Sequence, residues 1–216
     1  MNFLIRIFVI WFTVGSVSFA NEIKVFDFTE TELSGLDVRK VRGADNKTIY
    51  TVGSNENGNI LKAVADNAAS GLGKEVKIDL NKTPFINITW KIEKDLSGIK
   101  ENTKKGHDYA ARVFVIKKTG ATALSNKAIN YVFSSNENIG QYWRSPYTKK
   151  SIDYVLATTL LNNNEWVTVK ANVKKDFKKL HNLDVDELNG VAIMTDTDNS
   201  KLKAISYYQN IYFSSE

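Results

Sequence analysis

The sequence predicts an all-β protein, an antiparallel β-sandwich. Three observations carry that expectation. Short apolar runs alternate with polar residues at a period of two. Asn, Gly, Ser and Lys turns separate these runs at fairly even spacing. Helical periodicity is scarce, and no stretch of about 10–15 helical residues separates the strands, as a βαβ fold would require.

The elements follow in order. Ile23, Val25, Phe26 and Phe28 open the first strand, and residues 48–52 and 59–65 form the next two. Residues 75–80 alternate Val76, Ile78 and Leu80 against charged neighbours. In residues 85–92, Ile86, Ile88, Trp90 and Ile92 share one face, opposite Asn87, Thr89 and Lys91. Residues 109–116 are apolar on both faces. Residues 129–133, 152–157, 166–173, 191–195 and 205–213 complete about eleven strands. Residues 175–181 and 185–188 offer one or two short helical turns. Trp90 and Trp166 fall in alternating strands and are expected in the core.

Residues 1–20 read as a secretory signal peptide. Arg6 supplies the charge, an apolar stretch follows, and Ser18-Phe19-Ala20 fits the small-x-small cleavage rule. That stretch is short for a membrane span, which needs about 20 residues. Residues 21–216 would then form one exported domain, periplasmic or secreted, with no transmembrane span after cleavage.

Composition narrows the function classes. The chain has 216 residues, no Cys, two His and two Pro. Disulfides, thiol nucleophiles and Cys-based metal sites are excluded. The formal net charge of +5 is mostly lysine, and no nucleic-acid-binding motif accompanies it. A nucleophile elbow, a P-loop, a dinucleotide fingerprint and a zinc-protease helix are absent. Nothing in the sequence fixes an oligomeric state.

Several residues are candidates for chemistry. Arg112 lies inside an apolar strand, and a guanidinium there needs a carboxylate partner or a bound anion. Asp108 shares its strand face, and Asp196 and Asp198 are further candidate partners. The alternatives are an internal ion pair and a clamp for a ligand carboxylate or sugar hydroxyls. Asp196, Asp198 and Asn199 place oxygen ligands where calcium is possible, although an EF-hand loop is missing. The same residues also suit a turn. No other cofactor is implied. Gln141 to Tyr147 is an aromatic loop in which Trp143 could stack on a sugar. Tyr131 lies mid-strand beside Asn130 and, with His107 and Arg112, could form a metal-free acid/base set.

Three stretches resemble a bacterial secreted family catalogued as domain of unknown function 3047. They are Gly106-His107-Asp108-Tyr109-Ala110-Ala111-Arg112-Val113-Phe114-Val115, Ala128-Ile129-Asn130-Tyr131-Val132-Phe133, and Gly190-Val191-Ala192-Ile193-Met194-Thr195-Asp196-Thr197-Asp198-Asn199. The resemblance runs roughly from Phe26 to Phe213. His107 stands where the family pattern usually carries an acidic residue. The resemblance implies a secreted or periplasmic β-sandwich and no established activity. The general pattern is also similar to galactose-binding-like and jelly-roll carbohydrate-binding modules.

Three functions are therefore expected in turn. The first is a non-enzymatic binding module for a glycan or cell-envelope polysaccharide, with Asp108, Arg112, Asn130, Tyr131, Trp143, Asp196 and Asp198 as the ligand-binding set. The second is a polysaccharide-active enzyme of lyase type, using Arg112, Tyr131 and His107. The third is a structural envelope protein in which the Arg–Asp pairing is internal.

Overall fold

The computed structural model describes residues 21–122 and 125–216. The expected signal peptide lies outside the described residues. Among those residues, no helix is long and apolar enough to cross a membrane.

Two sheets face each other. The first contains β1 (Glu22–Lys24), β3 (Ile49–Asn55), β4 (Gly58–Asp66), β6 (Phe85–Lys94), β11 (Val167–Asn172) and β13 (Lys203–Ser214). Its order is β11-β6-β13-β4-β3, with β1 added to β13. The second sheet runs β2-β5-β12-β7-β8-β10-β9. Its strands are β2 (Val38–Lys40), β5 (Ala69–Asp79), β7 (Ala111–Lys117), β8 (Lys127–Ser134), β9 (Tyr142–Arg144), β10 (Ser151–Thr158) and β12 (Glu187–Asp196). Helix α1 (Glu30–Gly35) follows β1, and α2 (Val173–His181) continues from β11.

Alternation explains the core. Leu61, Ala63, Ile88, Trp90, Val113, Tyr131, Ile193 and Tyr208 point between the sheets and are fully buried. Burying a large apolar side chain contributes about 1.5–3 kcal/mol. Neither disulfide nor metal is needed for a core of this size. Helix α2 closes one edge with Val173, Phe177 and Leu180, and Asn172 caps it by accepting from Lys175 N at 3.0 Å.

Several expectations need correction. The sandwich is not purely antiparallel, because β10 pairs parallel to β8. The connection between them carries β9, which pairs antiparallel to β10 from its outer side. Trp166 lies outside the core at 38% exposure, because the β11 register continues it onto the solvent face. Val185 to Leu188 make no helical turn; Glu187 and Leu188 already pair with β5. Phe26 and Phe28 leave the first strand, Phe28 at φ +48°, and both remain buried. Strand β5 begins at Ala69, earlier than its β-branched residues suggest, because Ser70, Gly71 and Leu72 pair with β12 on one side and β2 on the other.

Candidate functional site

The outer face of the seven-stranded sheet carries a second, smaller apolar cluster. Tyr109, Val132 and Val155 are buried there, and Trp143 packs against them. Residues 95–109 and 135–148 cover that end. Beside the covered end a cleft of about 410 Å³ remains. Its lining includes Arg42, His107, Arg112, Phe114, Asn130, Tyr147, Met194, Asp196, Asp198 and Asn199.

Strand register builds the floor. Arg112 on β7 lies opposite Met194 on β12, and Asn130 on β8 lies opposite both Phe114 and Asp153. Arg112 Nη2 donates to Asp196 Oδ2 and contacts Met194 Sδ at 3.0 Å. The guanidinium also meets the Tyr109 and Phe114 rings, each centroid 5.2 Å from Cζ. Burial alone would lower the Arg112 pKa; the carboxylates of Asp196, Asp153 and Asp108 outweigh it and raise it. Burial pushes the Asp196 carboxyl well above its ordinary range against the pull of Arg112, and Asp108 and Asp198 add to the rise. Asp198, half-buried on the rim, is raised by the same causes, burial first and Asp108 second.

Asp153 forms a second buried centre. Its Oδ2 meets His107 Nε2 at 2.9 Å and its Oδ1 accepts from Asn130 Nδ2 at 2.7 Å. A carboxylate only accepts, so His107 donates to Asp153 through Nε2.

Asp108 holds the adjoining loop. It accepts from Asn199 N and Nδ2 at 3.2 and 2.8 Å and from Ser200 N at 2.5 Å. Asp108, Asp196 and Asp198 bring one carboxylate oxygen each within 4.8 Å of one another. Calcium takes six to eight oxygens. Here the guanidinium of Arg112 already compensates Asp196, and N–H donors already occupy Asp108. The donor set therefore fits a turn anchored on a carboxylate better than a cation cage.

Two polar atoms of the floor are buried with no hydrogen-bond partner among the described residues. They are Arg112 Nε, a donor, and Asn130 Oδ1, an acceptor. Arg112 and Asn130 are 6% and 2% exposed. Leaving such groups unpaired costs about 1–3 kcal/mol each.

The structure brings together most of the sequence candidates. His107, Arg112, Asn130, Asp196, Asp198 and Asn199 line the cleft, and Asp108 lies directly beneath it. Tyr131 does not join them. It is the neighbour of Asn130 on a strand, so it faces the opposite way, into the core, where its hydroxyl donates to Asp176 at 2.8 Å. Burial raises its pKa well above the ordinary tyrosine value. The acid/base set of Arg112, Tyr131 and His107 is therefore not assembled. Trp143 is no exposed platform either: it sits in β9 and packs on the small cluster. Tyr147, 57% exposed, is the aromatic that reaches the rim. Sequence reading missed Asp153. The rule that singled out Arg112, a charge inside an apolar strand, would have found it.

The chain matches the family described as "Protein of unknown function (DUF3047)" over residues 34–212. It belongs to that family. No curated protein matches the chain. Among solved structures it is similar to the family 30 carbohydrate-binding module of a cellulosomal cellulase of Clostridium thermocellum. The TM-score is 0.52 at 8% identity, covering 91% of this chain and 98% of that one. A family 11 carbohydrate-binding module of a second Clostridium thermocellum cellulase gives 0.47 at 12% identity, covering 92% and 97%. The xyloglucanase domain of NopAA, a type three effector from Sinorhizobium fredii, also gives 0.47 at 12%, covering 94% and 100%. At 8% identity the first of these speaks for the β-sandwich fold of this DUF3047 chain and not for its ligand.

Proposed function

We propose that this protein is an exported, non-enzymatic glycan-binding module. Its ligand is a neutral saccharide held in the cleft on the seven-stranded sheet. The observation that carries the reading is the pair of orphan atoms on the floor. Both are sealed from solvent in the free protein; a ligand that shifts these side chains would offer hydroxyls that accept from Arg112 Nε and donate to Asn130 Oδ1. Phe114, Met194 and Val41 supply apolar surface for the C–H faces of the ring, and Tyr147 supplies a rim aromatic. Charge supports a neutral ligand. Arg42 and Arg112 share the cleft with Asp196 and Asp198, so no unopposed positive charge is there to draw an acidic sugar. That balance weighs against a lyase acting on acidic polysaccharide.

One observation favours a catalytic second reading. His107 with Asp153 is an oriented base at the cleft wall. It would require cleavage products from a glycan that binds.

Affinity electrophoresis through gels containing neutral xyloglucan, β-glucan, mannan or agarose tests the proposal. The expected result is retardation by at least one polymer, insensitive to salt, and lost in Asn130→Leu. Retardation by none, or equal retardation of the variant, would refute it. Release of shorter products by the wild type and not by His107→Gln would replace binding alone with catalysis.

A further inference from the structure

The outer face of the six-stranded sheet carries a row that the cleft does not explain. Thr51 pairs with Lys62, Lys62 with Tyr207, and Tyr207 with Lys91. Trp166 extends the row by the β11 register, in which Val167 lies opposite Trp90. All five side chains point to solvent, because their neighbours Leu61, Trp90 and Tyr208 are buried between the sheets. Five strands contribute, so four steps of about 4.8 Å give a track of about 19 Å.

The chemistry of the row is specific. Tyr207 and Trp166 stand side by side, with ring centroids 6.2 Å apart. Lys62 Nζ and Lys91 Nζ lie 5.4 and 5.8 Å from the Tyr207 centroid. Neither lysine has a carboxylate within ion-pair distance among the described residues, so neither charge is already neutralised by a partner. The nearby Glu93 is taken up by the Tyr207 hydroxyl. Cation–π contact at an exposed site is worth only about 0.5–1 kcal/mol. An incoming anion therefore draws the ammonium groups off the ring at little cost and uncovers its face.

We infer that this row is a second binding surface, for an acidic polysaccharide whose sugar rings lie on Tyr207 and Trp166 and whose carboxylates meet Lys62 and Lys91. The inference does not rest on the cleft reading. Its charge preference is opposite, so the two sites take different polymers.

The test is affinity electrophoresis of the full exported chain in gels containing polygalacturonate. The wild type is expected to be retarded at low salt and released at high salt, because exposed charge pairs are screened beyond about a Debye length. Lys62→Gln with Lys91→Gln weakens the apparent affinity about tenfold, and Trp166→Ala weakens it without changing the salt response. Lys174→Gln with Lys175→Gln, on α2, removes the same net charge elsewhere and leaves the affinity unchanged. Asn130→Leu, in the cleft, also leaves it unchanged. The lysine and tryptophan variants keep the wild-type melting temperature, read by circular dichroism. No retardation of the wild type, equal weakening by the α2 pair, or binding only to phosphatidylglycerol vesicles would overturn the inference.

Discussion

Replacing Arg112 with Met separates an architectural ion pair from a ligand clamp. The side chains of Arg112 and Asp196 are 7% and 2% exposed. Removing the guanidinium leaves Asp196 buried without its counter-charge. Breaking a buried pair in this way costs about 3–5 kcal/mol. For a chain of this size each kcal/mol moves the melting midpoint by about 2–4 °C, so the expected drop is about 6–20 °C. The loss depends on pH. Burial already raises the Asp196 carboxyl, and the variant lacks the one group that strongly lowers it. Between the unfolded and the raised folded pKa, the folded variant binds more protons than the unfolded chain, so its stability falls as pH rises. The deficit is therefore larger at pH 7 than at pH 5. Adding Asp196→Leu removes the stranded charge and restores most of the loss. Urea titrations followed by tryptophan fluorescence at both pH values measure the wild type and both variants. A deficit under about 1 kcal/mol at pH 7, or the same deficit at pH 5, would refute this account of the pair.

Other predictions are briefer. Glu101 accepts from Ser134 Oγ, Ser135 N and Asn136 Nδ2 at 2.6, 2.8 and 3.0 Å, and burial raises its pKa. Glu101→Gln should lose about 1–3 kcal/mol at pH 7 and flatten the wild type's loss of stability with rising pH, measured by urea midpoints from pH 4.5 to 7. Trp143→Ala should cost about 2 kcal/mol in the same titration and leave saccharide binding intact, because Trp143 packs on Tyr109, Val132 and Val155. Thermal unfolding in millimolar calcium and in chelator should give the same midpoint; a rise with calcium would show that Asp108, Asp196 and Asp198 hold an ion after all.

The fold was largely legible because alternation is a local signal. Ile86, Ile88, Trp90 and Ile92 announce an inward face without reference to any other strand. The start of β5 was hidden, because Ala69, Ser70 and Gly71 have weak strand preference and gain their pairing from β2 and β12. Strand β9 was hidden for a similar reason: three residues pair only with β10. The site was half legible. Arg112 and Asp196 stand out as charges in apolar strands. Their contact, and the convergence of His107, Asn130 and Asp153, depend on register across three strands and on a parallel crossover. Tyr131 was misplaced for a reason the sequence already contained, since adjacent strand residues face opposite ways and Asn130 and Tyr131 cannot both line one cleft.

The chain has two histidines, and they report on different places. His107 lines the cleft, while His181 sits at the end of α2 against the Ala128 carbonyl. The decisive measurement is a nitrogen-15 histidine NMR titration with an oligosaccharide of whichever neutral polymer retards the protein. The account predicts that the His107 ring signals shift in proportion to occupancy while those of His181 stay fixed. Saturable binding that leaves His107 unmoved would contradict it and place the glycan site elsewhere on the sandwich.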